Sequence, residues 1–172
     1  VSVSVNLERL SDIVTAVFIG SHAMARTPRT VHAHTIAGAV IAAPRLNGRP
    51  HGETGLNAAV PRALGIPVVL VPGDTATCVE ARTFLGDQVE AVTVEEACGR
   101  NAAICRAPAA IRAEITAAAA RARPKADEIA LYQPERPALG GRLPHCAVVR
   151  PRPAGRWRRA SPVTISTPGD EP

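Results

Sequence analysis

Apolar positions in this chain gather in short blocks bounded by Gly, Pro or Asn. Ile13 to Gly20, IVTAVFIG, is continuous and rich in β-branched residues. Such a run predicts a buried, parallel strand closed by Gly20. A second apolar stretch from Ile36 to Leu46 leads into Asn47-Gly48, the dipeptide that joins hairpin strands. Gly52 to Leu56 reads as the entry to a helix continuing to about Leu64. Pro61 should kink that helix or end it early, because it has no N–H to donate. Ile66 to Val71, IPVVLV, is the clearest strand, and Pro72-Gly73-Asp74 should end it. Thr75 to Leu85 carries helical spacing, with Asp74 as its N-cap and Gly86 as its stop. Val89 to Val94 alternates as a short strand, and Pro108 to Arg123 is an Ala-rich helix opened by proline.

Strands alternating with helices predict an α/β fold: a partial doubly wound, largely parallel sheet with flanking helices and an irregular C-terminal tail. The boundary falls after Arg123. Nine of the 16 prolines lie in residues 124–172, and RPRPAGRWRR from Arg150 to Arg159 has no periodicity. Residues 1–123 are therefore expected to form the domain, and 124–172 a Pro/Arg-rich, largely irregular tail.

At 172 residues, one domain has enough chain for an ordinary core. With aromatics at only 2%, that core must be built from Ala, Val, Leu and Ile. A net charge of +5 permits an anionic partner, but with almost no aromatics to stack bases nucleic acid is not the expected one. No apolar run reaches the roughly 18 residues of a membrane span. Cys78, Cys98, Cys105 and Cys146 form no C-x-x-C pair. Scattered thiols, and a VSVSVNLERL start unlike a signal peptide, lead us to expect a cytoplasmic protein.

The chemistry concentrates between Gly20 and Asn57. This stretch holds His22, His32, His34 and His51, four of the five histidines, and a single acid, Glu53. Imidazoles and a carboxylate between apolar segments suit a metal or acid–base site; a histidine-bearing surface loop is the alternative. His32 and His51 are expected to face solvent.

Five short motifs carry a resemblance: GSHA at Gly20, AHT at Ala33, LNG followed by GETGLNAA, IPVVLVPGD, and GRNAA at Gly99. In this order and spacing they resemble the zinc-dependent D-aminopeptidase family, over roughly residues 10–123. The resemblance implies a doubly wound α/β fold, a centre with two zinc ions, assembly with copies of itself, and removal of the N-terminal residue from short D-amino-acid peptides. By motif, His22 and Glu53 match metal ligands, and His34 matches the catalytic nucleophile or base. The family's D-x-E-G motif and one further ligand His have no counterpart in this sequence. Ser21 stands where the family has an aromatic residue, and Glu95 where it has Lys. The resemblance thus implies a metal-dependent aminopeptidase-like protein; the alternative is a non-catalytic or degenerate fragment lacking part of the metal site.

Overall fold

An apolar run with no polar alternation needs cover on both faces, and Val68–Asp74 has it: all seven of its residues are buried. The computed structural model describes residues 14–36, 38, 43–62, 64–129, 131 and 139–142. In chain order they form β1 (Ala16–Val17), β2 (Ala43–Leu46), β3 (Arg49–Pro50), α1 (Glu53–Arg62), β4 (Val68–Asp74), α2 (Thr75–Leu85), β5 (Glu90–Gly99), β6 (Ala102–Cys105), α3 (Pro108–Ala122), a 3-10 helix (Arg123–Glu128) and β7 (Leu139–Arg142). The main sheet has the order β1-β4-β5-β6. β4 pairs in parallel with both β1 and β5, and β6 adds an antiparallel edge.

Helices cover this sheet on both faces. On one side Ala58 of α1 and Ala81 and Leu85 of α2 pack with Val68, Val71 and Val89. On the other, Ala118 and Ala122 of α3 meet Val69, Leu70 and Val92. The small alanine side chains let α3 lie close to the sheet, at the cost of little apolar area per residue. The expected α/β class, with a mostly parallel sheet and flanking helices, is what forms.

Local signals set several boundaries. Asp74 Oδ1 accepts the Thr77 N–H at 2.8 Å and caps α2. Gly86, at a φ of 89°, ends it. α1 stops at Arg62, one residue past Pro61, and the Pro61 carbonyl then accepts the Leu64 and Ile66 N–H groups. Asn47 and Gly48 both have positive φ, 53° and 75°, the primed turn that suits a two-residue hairpin. That hairpin joins β2 to β3, and β7 pairs with the other edge of β2. β7 lies inside the stretch expected to be largely irregular; 143–172 are outside the described residues.

Three expectations need correction. The buried strand from Ile13 to Gly20 is only the two residues of β1, at the sheet edge, with Val14 71% and Ile19 70% exposed. An apolar run reports that a segment can be buried, not how many neighbours it has. The β4 strand does not end before Pro72-Gly73-Asp74 but runs through them, because β5 keeps pairing as far as Asp74. The short strand expected at Val89–Val94 extends to Gly99. Its parallel pairing with β4 ends at Glu95, and from Glu95 on it also pairs with β6, a strand the pattern did not signal. Among the described residues no helix is long and apolar enough to cross a membrane.

Candidate metal site

The carboxyl ends of β1, β4 and β5 open on one side of the sheet, where open α/β sheets bind ligands. Gly20, at a φ of 74°, turns the chain out of the β1 segment and His22 follows. The loop then returns on itself. The His34 N–H donates to the Ala23 carbonyl at 3.3 Å, and the Ala25 N–H to the Thr35 hydroxyl at 3.2 Å. These bonds set the His22 and His34 rings 4.9 Å apart.

The loop is anchored at two places. The Asp74 Oδ2 accepts the Thr30 hydroxyl and, at 2.8 Å, the Val31 N–H. The turn between β5 and β6 holds the other end: the His32 N–H donates to the Arg100 carbonyl at 2.8 Å, and the Arg100 guanidinium to the Ala33 carbonyl at 2.9 Å. His32 and Ile36 sit at φ values of 48° and 58°. For a β-branched residue such as Ile36 that is strained, by about 1–3 kcal/mol. The strain aims the Ile36 N–H at Glu53 Oε1, 3.2 Å away.

Glu53 opens α1 and is only 5% exposed. The helix N-terminus favours its negative charge. Its Oε1 lies 2.9 Å from His34 Nε2, and its Oε2 lies 3.4 Å from the His22 backbone N and 3.9 Å from His22 Nδ1. His34 Nδ1 is 2.7 Å from the His32 carbonyl, which can only accept. That nitrogen therefore carries a proton, and in the neutral ring the lone pair is on Nε2. A lone pair facing a carboxylate at 2.9 Å requires a cation between or beside them, either a proton or a metal. His22 Nδ1 is buried and has no hydrogen-bond partner among the described residues. The donor atoms of His22, His34 and Glu53 all lie within 4.8 Å of one another, so the three form a group able to hold a metal ion. Two imidazoles and a carboxylate are a donor set that zinc accepts.

The other histidines separate. His32 is exposed, as expected, with its ring 6.1 Å from that of His22. His51 is not solvent-facing: it is 1% exposed. Its ring packs at 4.7 Å on Phe84, and its Nδ1–H donates to the Arg49 carbonyl at 2.7 Å. Burial holds its pKa below the usual histidine value, with the Arg49 charge in the same direction and the Arg49 carbonyl opposing. Its neighbours Arg49, Pro50, Gly52 and Glu53 form no apolar run, which hid a packing role.

Glu80 was missed. It is buried on α2, where its Oε2 accepts the Met24 N–H at 2.7 Å. Its carboxyl also lies where a side chain on Gly52 would be. It therefore holds the residue two after His22 and packs against the residue before Glu53. Burial raises its pKa, and the charges of Glu53 and Asp74 add to this against the Met24 hydrogen bond. Its place one turn after Thr77, on the face that also buries Cys78 and Ala81, was the available signal.

Comparison with known proteins shows the family. A family model described as D-aminopeptidase matches residues 6–139. The chain belongs to the D-aminopeptidase family. The D-aminopeptidase of Bacillus subtilis (strain 168) is 34% identical over 125 residues, covering 72% of this chain and 44% of that protein. The solved structure of the Zn-dependent D-aminopeptidase DppA from Bacillus subtilis, described as a self-compartmentalizing protease, matches with a TM-score of 0.68 and 31% identity. It covers 73% of this chain and 45% of that one. The chain thus spans less than half the length of these relatives.

Proposed function

We propose that this chain carries part of a zinc-dependent D-aminopeptidase centre, whose reaction removes the N-terminal residue from short peptides containing D-amino acids. His22 and Glu53 hold the metal. His34, with one ring nitrogen fixed by the His32 carbonyl and the other turned toward Glu53, takes and returns a proton. Zinc, when bound, polarises a carbonyl and lowers the pKa of a bound water. Glu53 bridges the two histidines and so sets their relative orientation, and the anchors at Asp74 and Arg100 keep the loop from drifting. The observation that supports this reading is the convergence of His22, His34 and Glu53, three segments of chain brought to one place at the carboxyl edge of the sheet. By the same reading the protein assembles with copies of itself, which suits the relative of a self-compartmentalizing protease.

The test is to load the purified chain with zinc, count metal per chain, and follow release of D-alanine from a D-alanyl peptide. Zinc binding with turnover supports the proposal, and the absence of both rejects it. A second reading has support too. No second group of three or more ligating side chains occurs among the described residues, which favours a protein that binds metal without turnover. Zinc bound with no release of D-alanine selects that reading.

A further inference from the structure

We propose that Glu95 binds the ammonium group of the substrate, in a cavity adjoining His22. The inference rests on the peptidase reading for the identity of its ligand.

A cavity of about 270 Å³ lies at the carboxyl ends of the parallel strands. His22 lines one part of it, and Ile19, Val94, Ile111 and Ile115 supply apolar wall. Ligand pockets commonly span about 300–1,000 Å³, so this one suits a single aminoacyl residue rather than a long peptide. Two carboxylates reach it, Asp74 and Glu95, which are register partners on β4 and β5. They differ in their commitments. Asp74 spends its oxygens on Thr30, Val31 and Thr77. Among the described residues the Glu95 carboxylate has one weak partner, the Cys105 thiol at 3.5 Å.

Among the described residues no lysine or arginine lines the cavity. The nearby base in sequence, Arg106, is already paired with Glu114 at 2.6 Å and with the Thr93 carbonyl at 2.6 Å. Glu95 is thus an acceptor-only group with spare lone pairs, set in an apolar wall beside a candidate metal ligand. A ligand that fits is an apolar body carrying a cation. For a peptide cut at its first residue, that description fits the first residue itself, with its α-ammonium on Glu95 and its side chain against the isoleucines. A basic side chain at the same position would offer the same ammonium chemistry.

The experiment is equilibrium binding by calorimetry to the zinc-loaded 172-residue chain. The probes are D-alanyl-glycyl-glycine, its N-acetyl derivative, and N-acetyl-D-lysyl-glycyl-glycine, each against the wild-type chain and Glu95→Gln. Zinc content and circular dichroism are recorded for both proteins. Acetylating the alanyl peptide should weaken binding to the wild-type chain about tenfold or more, the scale of a lost charge-assisted hydrogen bond. Glu95→Gln should keep its zinc, bind the free amine about tenfold more weakly, and no longer distinguish it from the acetylated peptide. Glu95-dependent binding of the acetylated lysyl peptide would place the ammonium on the side chain instead, within the same proposal. Equal binding of the free and acetylated alanyl peptides with no such lysyl dependence overturns it, as does failure of all three probes to bind. Peptide release is followed in the same samples. Binding that depends on Glu95 without turnover rejects the enzymatic reading and keeps this one; turnover indifferent to Glu95 does the reverse.

Discussion

His34 Nε2 stands 2.9 Å from Glu53 Oε1 while the opposite nitrogen of the same ring is held by the His32 carbonyl. The lone pair and the carboxylate can share that distance only with a cation present. Glu53→Gln replaces one carboxylate oxygen by an amide N–H group that can donate to Nε2 directly, so the requirement for a cation disappears. Zinc affinity should fall more than about a hundredfold, since even the outer partners of ligands commonly cost 10–100-fold. Competition against a chelating dye measures it. Unchanged affinity would remove Glu53 from the metal site.

Gly52 and Glu80 form a second dependence. A Cβ on Gly52 would fall within the Glu80 carboxyl group, 2.8 Å from its Cδ. Gly52→Ala should therefore destabilise the protein by roughly 1–3 kcal/mol. The cost should shrink when Glu80→Ala is added, leaving a coupling of about 1 kcal/mol or more in a double-mutant cycle. Strict additivity in urea unfolding would show that the two do not meet.

Acid stability should carry two opposed contributions. Burial tends to raise the Asp74 pKa, but the Thr30 hydroxyl and the bonds from Thr77 and Val31 outweigh it, and the net shift is downward. A lowered folded pKa means stability that is present above the ordinary aspartate value and is lost as pH falls through the folded one. Glu80 is raised, chiefly by burial. Its folded state holds the proton longer, so stability declines as pH rises from the ordinary glutamate value through the raised one. Asp74→Ala should cost roughly 2 kcal/mol near neutral pH, from the lost cap and loop bonds, and less in acid. Glu80→Gln should flatten the decline on the rising side. Unfolding free energies from pH 2 to 8 test both, and a Glu80→Gln profile parallel to wild type would contradict the second.

Ile36 is held at a φ of 58° and is 43% exposed. Asparagine tolerates this region far better than a β-branched residue. Ile36→Asn should gain about 1 kcal/mol in thermal unfolding while preserving the N–H that meets Glu53. A loss of stability would mean that the Ile36 side chain contributes more than its exposure implies.

The sequence by itself determined the pieces whose causes are local. Asp74 and Gly86 bound α2, Asn47-Gly48 turn the hairpin, and Pro61 closes α1 within one residue, because each effect acts through the backbone of its own neighbours. The ordered motifs also marked His22, His34 and Glu53, although they left open whether the three would meet. Tertiary structure decided that they do: His22 and Glu53 are 31 residues apart, and their approach depends on bonds from Asp74 and Arg100 to the loop. It also decided what no periodicity could report. β5 runs on to pair with β6 through a segment that reads as polar, His51 is buried on Phe84, and Glu80 reaches back 56 residues to hold Met24. In each case the stabilising partner lies far along the chain, so the local pattern carries the residue's capacity for an interaction but not the identity of its partner.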